Sequence, residues 1–230
     1  MMPPKHILGT FDEALSSVRN NVLMMAGLAE RTLDRAVKGL LQRGDNLCTT
    51  AIADDEEIDQ LEKQIDKEGV DVLLRFQPVA SDLRRVVAAM KLSPNIERIA
   101  DQATNIARRA RKLNRHPPLP EVEIIVPIQA HAMAMFKDAI DAFVREDVDL
   151  GRAVVARDKD LDHMNKMANR RLTDRMAQDP KQLRGYLNLI FISRCLERVG
   201  DHATNIAEDA VYAAAAEDIR HQALVQASNG

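Results

Sequence analysis

Glu97 and Asp101 stand four residues apart, and the pair returns 100 residues later as Glu197 and Asp201. Asp55 and Asp59 share that spacing and return 103 residues on as Asp158 and Asp162. Successive residues on a helix turn by about 100°, so carboxylates at this spacing fall on one stripe. Hard oxygen donors of this kind select hard cations, Mg²⁺, Mn²⁺, Ca²⁺ or iron, over metals that prefer thiolate. Without a cation, each like-charged i, i+4 pair costs roughly 0.2–0.5 kcal/mol. A solvated acidic face is the plain alternative for any single D-x-x-x-D. Recurrence in both halves of the chain argues for a site.

The positions around these acids repeat as well. Glu97-Arg98-Ile99-Ala100-Asp101-Gln102-Ala103-Thr104-Asn105-Ile106-Ala107 and Glu197-Arg198-Val199-Gly200-Asp201-His202-Ala203-Thr204-Asn205-Ile206-Ala207 agree at eight of eleven positions, and Leu83-Arg84 returns as Leu183-Arg184. A repeat of this length defines a structural unit. Ile96, Ile99, Ala103, Ile106 and Ala107 lie opposite Glu97, Asp101 and Asn105, which places the acids on the outer face. On the preceding helix Asp55, Asp59, Glu62 and Asp66 form a stripe turned away from Ile58, Leu61 and Ile65. The second copy carries Asp158, Asp162, Asn165 and Asn169, then Glu197, Asp201, Asn205 and Glu208. If the two helices of each copy are neighbours, their stripes flank one groove. Arg108 stands where the second copy has Glu208, so the two sites are not equal.

The elements that position these residues are long helices. Phe11, Leu15, Val18, Val22, Met25, Ala29 and Ala36 keep the 3-4 spacing of a helical seam, which Gly44-Asp45-Asn46 stops. A second helix runs through Leu47, Ala51, Ile58, Leu61, Ile65 and Val72 to Pro78, and a third from about Ser81 to Leu113. Pro94 makes either a kink in the third helix or a fresh start capped by Ser93. The second copy repeats the plan from Ile128 to Arg145, Leu150 to Gln178 and Pro180 to about Ala216. Short connections make neighbouring helices antiparallel. The expected fold is all-α, two tandem three-helix bundles: 10–114, a Pro-rich linker at 115–127, 128–216, and a frayed tail at 217–230. Val122 to Val126, the one β-branched run, reads as extended linker before Pro127.

Composition removes other classes. With 32 Lys and Arg against 35 Asp and Glu, no global field draws the chain to nucleic acid or anionic lipid. The apolar run Leu187 to Ser193, which already contains Asn188, is far short of the ~20 residues of a spanning helix. The N-terminus lacks the apolar core of a secretory signal. Cys48 and Cys195 are isolated, which disfavours disulfides and zinc fingers and suits reduced thiols in a cytoplasm. No Gly-rich phosphate loop, G-x-S-x-G or H-E-x-x-H occurs. A ferritin-like di-iron oxidase, the rival, needs inward Glu residues and Glu-x-x-His pairs; the nearest match is Asp160-x-x-His163 in one copy alone. His202 replaces Gln102 and reads as a surface or supporting residue. The basic run Arg108 to Arg115 could grip phosphate or nucleic acid, but a helix C-terminus also favours cations through its dipole and is the preferred reading; the methionines suit core or adaptable contact surface.

The doubled E-R-[IV]-[AG]-D-x-A-T-N-I-A motif, with the L-R pair and the D-x-x-x-D helices before it, resembles the PhoU family over about 10–216. The resemblance implies two three-helix bundles, a homodimer and a protein without catalytic activity. It also implies a cytoplasmic negative regulator of phosphate uptake and phosphate-starvation signalling. Its partners would be the ATPase subunit of the phosphate ABC transporter and a phosphate-sensing histidine kinase, with membrane association through them and no nucleic acid. The family's multinuclear iron, zinc, magnesium or manganese sites carry over to Asp55, Asp59, Glu97 and Asp101, and to Asp158, Asp162, Glu197 and Asp201. Asn105 and Asn205 extend the stripe as carbonyl donors. Pro94 departs from the family pattern.

Overall fold

The structure is a computed structural model and describes residues 5–220. These form seven α-helices and two 3-10 turns: α1 (Lys5–Leu41), α2 (Asp45–Ala53), α3 (Asp55–Phe76), α4 (Ala80–Asn114), a turn at Pro120–Ile124, α5 (Ile125–Arg145), α6 (Val148–Gln178), a turn at Pro180–Gln182 and α7 (Leu183–Ala215). Helices α1, α3 and α4 pack together as one bundle and α5, α6 and α7 as the other. The chain is thus two tandem three-helix bundles, and they are joined side to side by extensive packing of α4 on α7. Val18, Met25, Leu33, Ile58, Ile65, Ile96 and Ile106 of the first repeat, with Ile128, Phe136, Leu161, Leu172 and Ile206 of the second, belong to one continuous apolar core.

Three local expectations are corrected. The second helix divides at Asp54, which keeps right-handed dihedrals but turns its carboxylate toward α1. There Oδ2 accepts from the Thr32 hydroxyl at 3.0 Å and from Arg35 at 2.6 Å, fixing a bend that helical periodicity alone does not reveal. The run Val122 to Val126 is not extended; it forms the end of a 3-10 turn and the first residues of α5. Ile125 is fully buried, so core packing overrides β propensity. Pro94 does not start a new helix, since α4 continues through it. Proline leaves the carbonyl four residues back without its donor, and the Ser93 hydroxyl serves the Met90 carbonyl instead, at 3.2 Å. The predicted frayed stretch His221 to Gly230 lies outside the described residues.

Repetition extends to the inter-helix contacts. Arg35 of α1 pairs with Asp54 at 2.6 Å, and 103 residues on Asp138 of α5 pairs with Arg157 of α6, also at 2.6 Å. The two bundles use one geometry with the charges exchanged. A mispaired bundle joining α1 to α6 would set Arg35 against Arg157, a repulsive alternative that favours the native pairing.

Two acidic grooves as candidate metal centres

Packing of α3 on α4 and of α6 on α7 brings the expected stripes together in both repeats. In the first groove the Thr104 hydroxyl of α4 donates to Asp55 Oδ1 of α3 at 3.3 Å. In the second, Thr204 of α7 donates to Asp158 Oδ1 of α6 at 3.4 Å. The same bond therefore ties the first acid of each D-x-x-x-D to the helix carrying E-R-x-x-D. Beneath the grooves Ile96, Ile99, Ala103, Ile106 and their counterparts Leu196, Val199, Ala203 and Ile206 are fully buried. The acids lie above this floor, as the periodicity requires.

Electrostatics shows that the acids of each groove act on one another. Glu97, whose side chain is only 16% exposed, is pushed up to about 7 by burial, then by Asp101, Glu62 and Asp59 against the pull of Arg98. Burial also raises Asp55, with Asp101 and Asp59 adding to it, while the Thr104 hydroxyl and Arg108 oppose the shift. Glu62 is raised by burial, Asp66 and Asp59. In the second groove Asp201 is pushed up to about 6 by desolvation at the groove wall and by Asp158, Glu197 and Asp162. Burial raises Glu197 and Asp158, Asp162 adding to both. Such shifts follow when carboxylates share a partly dry surface with too little positive charge.

The grooves differ in how that charge is balanced. Arg98 reaches Glu97 at 3.2 Å and Asp101 at 3.1 Å. In the second groove Asn165 stands where the first has Glu62, and its Nδ2 donates to Glu197 Oε2 at 2.6 Å. Asn165 Oδ1 in turn accepts from the Ser193 hydroxyl and, at 3.4 Å, from Asn169. Neutral donors thus hold one wall of the second groove, where the first presents further carboxylates.

As hard-cation donors the residues fit by chemistry: all oxygen, paired across two helices, and short of positive charge. They are not a preassembled cage. Among the described residues no three His, Cys, Asp or Glu side chains converge closely enough to hold a metal ion. A cation would have to draw the oxygens inward by side-chain rotation. Asn205 also reaches across the α4–α7 seam, its Nδ2 donating to Asn95 Oδ1 at 3.2 Å. His202 meets the same oxygen at 3.1 Å. Desolvation, with Arg98 and Arg198 nearby, lowers the pKa of His202, so it belongs to the seam between repeats. Thr104, Thr204, Ser193 and Asn165 are the supporting residues that the acid pattern did not single out; the repeated A-T-N was their available signal. Nothing in the structure supports the oxidase alternative.

The comparisons agree with this architecture. A family model described as the PhoU domain matches the chain twice, at residues 22–110 and 126–210. A "Phosphate-specific transport system accessory protein PhoU homolog" of Pseudomonas putida is 40% identical over 95% of this chain and 86% of its own length. The accessory protein PhoU of Escherichia coli is 32% identical over 94% of this chain and 90% of its own. The crystal structure of PhoU from Pseudomonas aeruginosa superimposes with a TM-score of 0.87 at 38% identity, covering 90% of this chain and all of that one. With its fold, its doubled motif and these relatives in agreement, this chain belongs to the PhoU family.

Proposed function

We propose that this chain is an accessory protein of a phosphate-specific transport system and restrains both phosphate uptake and phosphate-starvation signalling. It works by binding, without catalysis, as a cytoplasmic homodimer linking the transporter's ATPase subunit to a sensor histidine kinase. The observation that carries the docking role is the pair of grooves, each built on the same Thr–Asp bond and lined by four acids at matching positions. The names borne by its relatives support the transport role. No helix among the described residues is long and apolar enough to cross a membrane, which fits association through membrane-bound partners.

Asp55, Asp59, Glu97 and Asp101 would hold hard cations in the first groove, with Asp158, Asp162, Glu197 and Asp201 in the second. A bound iron, zinc, magnesium or manganese ion supplies positive charge where the acids now repel one another. Thr104 and Thr204 keep the first acid of each set aimed into the groove. Arg98 steadies Glu97 and Asp101, and Asn165 steadies Glu197.

The test measures metal per chain in untagged protein purified without chelator, beside a variant with Glu97, Asp101, Glu197 and Asp201 changed to Ala and checked for helicity. Loss of bound metal together with derepression of phosphate-starvation genes is expected. A folded variant that keeps full repression would sink the proposed role of the acids.

A further inference from the structure

The C-terminal part of α4 holds a concentration of charge of which only Arg108 acts on a groove acid. Arg108, Arg111, Lys112 and Arg115, with Ile52 of α2, line a single pocket. The four cations stand at i, i+3, i+4 and i+7, which places them on one face of the helix. Among the described residues none of the four makes an ion pair, whereas neighbouring Arg109 is already committed, lying 3.9 Å above the Phe191 ring. Arg111 Nε is buried without a hydrogen-bond partner. Two acids stand near the rim: Asp55, which feels Arg108, and Asp45, whose Oδ1 accepts from Asn114 at 3.0 Å.

The second repeat shows that the fold does not demand these charges. At the matching positions α7 carries Glu208, the buried Val211, Tyr212 and Ala215. Favourable interaction with the helix dipole does not account for a cluster that the equivalent helix end lacks. The dipole's share is about half a negative charge at the C-terminus, against four full cations. Three guanidinium groups that line one pocket and form no ion pair among the described residues suit a phosphate group, which accepts paired N–H donors.

We propose that this pocket is an anion site, present in the first repeat only, that takes a phosphate group, either free inorganic phosphate or the phosphate of a lipid headgroup. It adjoins the first acidic groove through Arg108 and Asp55 but does not require either groove to hold metal.

Two probes separate the sources: calorimetric titration with inorganic phosphate, and co-sedimentation with phosphatidylcholine vesicles with and without phosphatidylglycerol. Each is run on the native chain, on a variant with Arg108, Arg111, Lys112 and Arg115 changed to Gln, and on a control of equal net charge with Lys159, Lys166, Arg170 and Arg171 of α6 changed to Gln. A milder Lys112→Gln/Arg115→Gln variant, altering only exposed side chains, guards against misfolding of the fourfold one. Affinity for at least one probe is expected to fall by about tenfold or more in the fourfold variant, to fall less in the double variant and to persist in the control. Response to phosphate alone assigns the free ion, and response to phosphatidylglycerol vesicles alone assigns the headgroup. Equal weakening in the pocket variants and the control, or no binding of either probe by the native chain, would overturn the proposal.

Discussion

The first and second grooves share a frame and differ in their filling. Both rest on a Thr–Asp bond between the second and third helices of their repeat, above a floor of buried aliphatic residues. In the first, Glu62 and Asp66 extend the carboxylate set and Arg98 offsets part of it. In the second, the matching Asn165 and Asn169 replace charge with hydrogen bonds, Asn165 joining Ser193 to Glu197. The frame is thus separable from the charge it carries. Two copies of one motif can differ in affinity for cations without any change of fold.

Converting one groove into the other gives the largest expected effect. Asn165→Glu places in the second groove the acid that the first has at Glu62. It removes the donor to Glu197, leaves Ser193 facing a carboxylate and adds a negative charge. A loss of about 2–3 kcal/mol is expected in urea unfolding at pH 8 without metal, and less at pH 5.5. A loss as large at pH 5.5 would show that packing and not charge sets the difference.

The native metal-free chain carries a milder form of the same effect. Glu97 and Asp201, raised to about 7 and about 6, bind protons more readily folded than unfolded. Between the ordinary carboxylate range and these values the native state holds the extra protons, so stability falls as pH rises through that window and levels off above it. With allowance for solvent screening, a decline of about 1–2 kcal/mol from pH 5 to pH 8 is expected. Glu97→Gln should reduce it to the share of Asp201, and a chain that is more stable at pH 8 would contradict the assigned repulsion.

Beneath the grooves the repeats differ by a matched exchange in shape. Ala100 and Ile58 of the first repeat correspond to Gly200 and Leu161 of the second. A Cβ on Gly200 would lie 2.1 Å from Leu161 Cδ2, and Leu161 is fully buried. Gly200→Ala should cost about 1 kcal/mol by overpacking despite the better helix propensity of alanine. Adding Leu161→Ile, the first repeat's partner, should recover most of it in a thermal melt. The smallest effect belongs to the exchanged ion pairs. Arg35→Gln should cost about 0.5–1 kcal/mol, since Arg35 is 34% exposed. The double exchange Arg35→Asp/Asp54→Arg should be more stable than Arg35→Asp alone.

Much of the molecule was legible before any fold was seen. Apolar spacing at three and four residues located the long helices, and the acids fell on a stripe facing away from Ile96, Ile99 and Ile106, because both patterns depend on neighbours one turn apart. The doubled motif marked two equal units through the same residues. Local reasoning failed where packing decided the outcome: at Asp54, bent toward Thr32 and Arg35, and at Val122 to Val126, wound into helix by burial of Ile125. At Pro94 local reasoning left two readings open, and the adjacent Ser93 hydroxyl serves the freed Met90 carbonyl.

The sequence by itself determined the helical class, the repeat and the acid stripes, all properties of positions a few residues apart along one helix. The tertiary structure alone decided that α4 and α7 pack together, that His202 and Asn205 meet Asn95 across that seam, that Thr104 and Thr204 brace the aspartates, and that the basic face of α4 lies beside Ile52. Those relations depend on which helices pack together and how each is rotated about its axis. Periodicity within a single helix says which face is apolar and carries no information about the partner that face will meet.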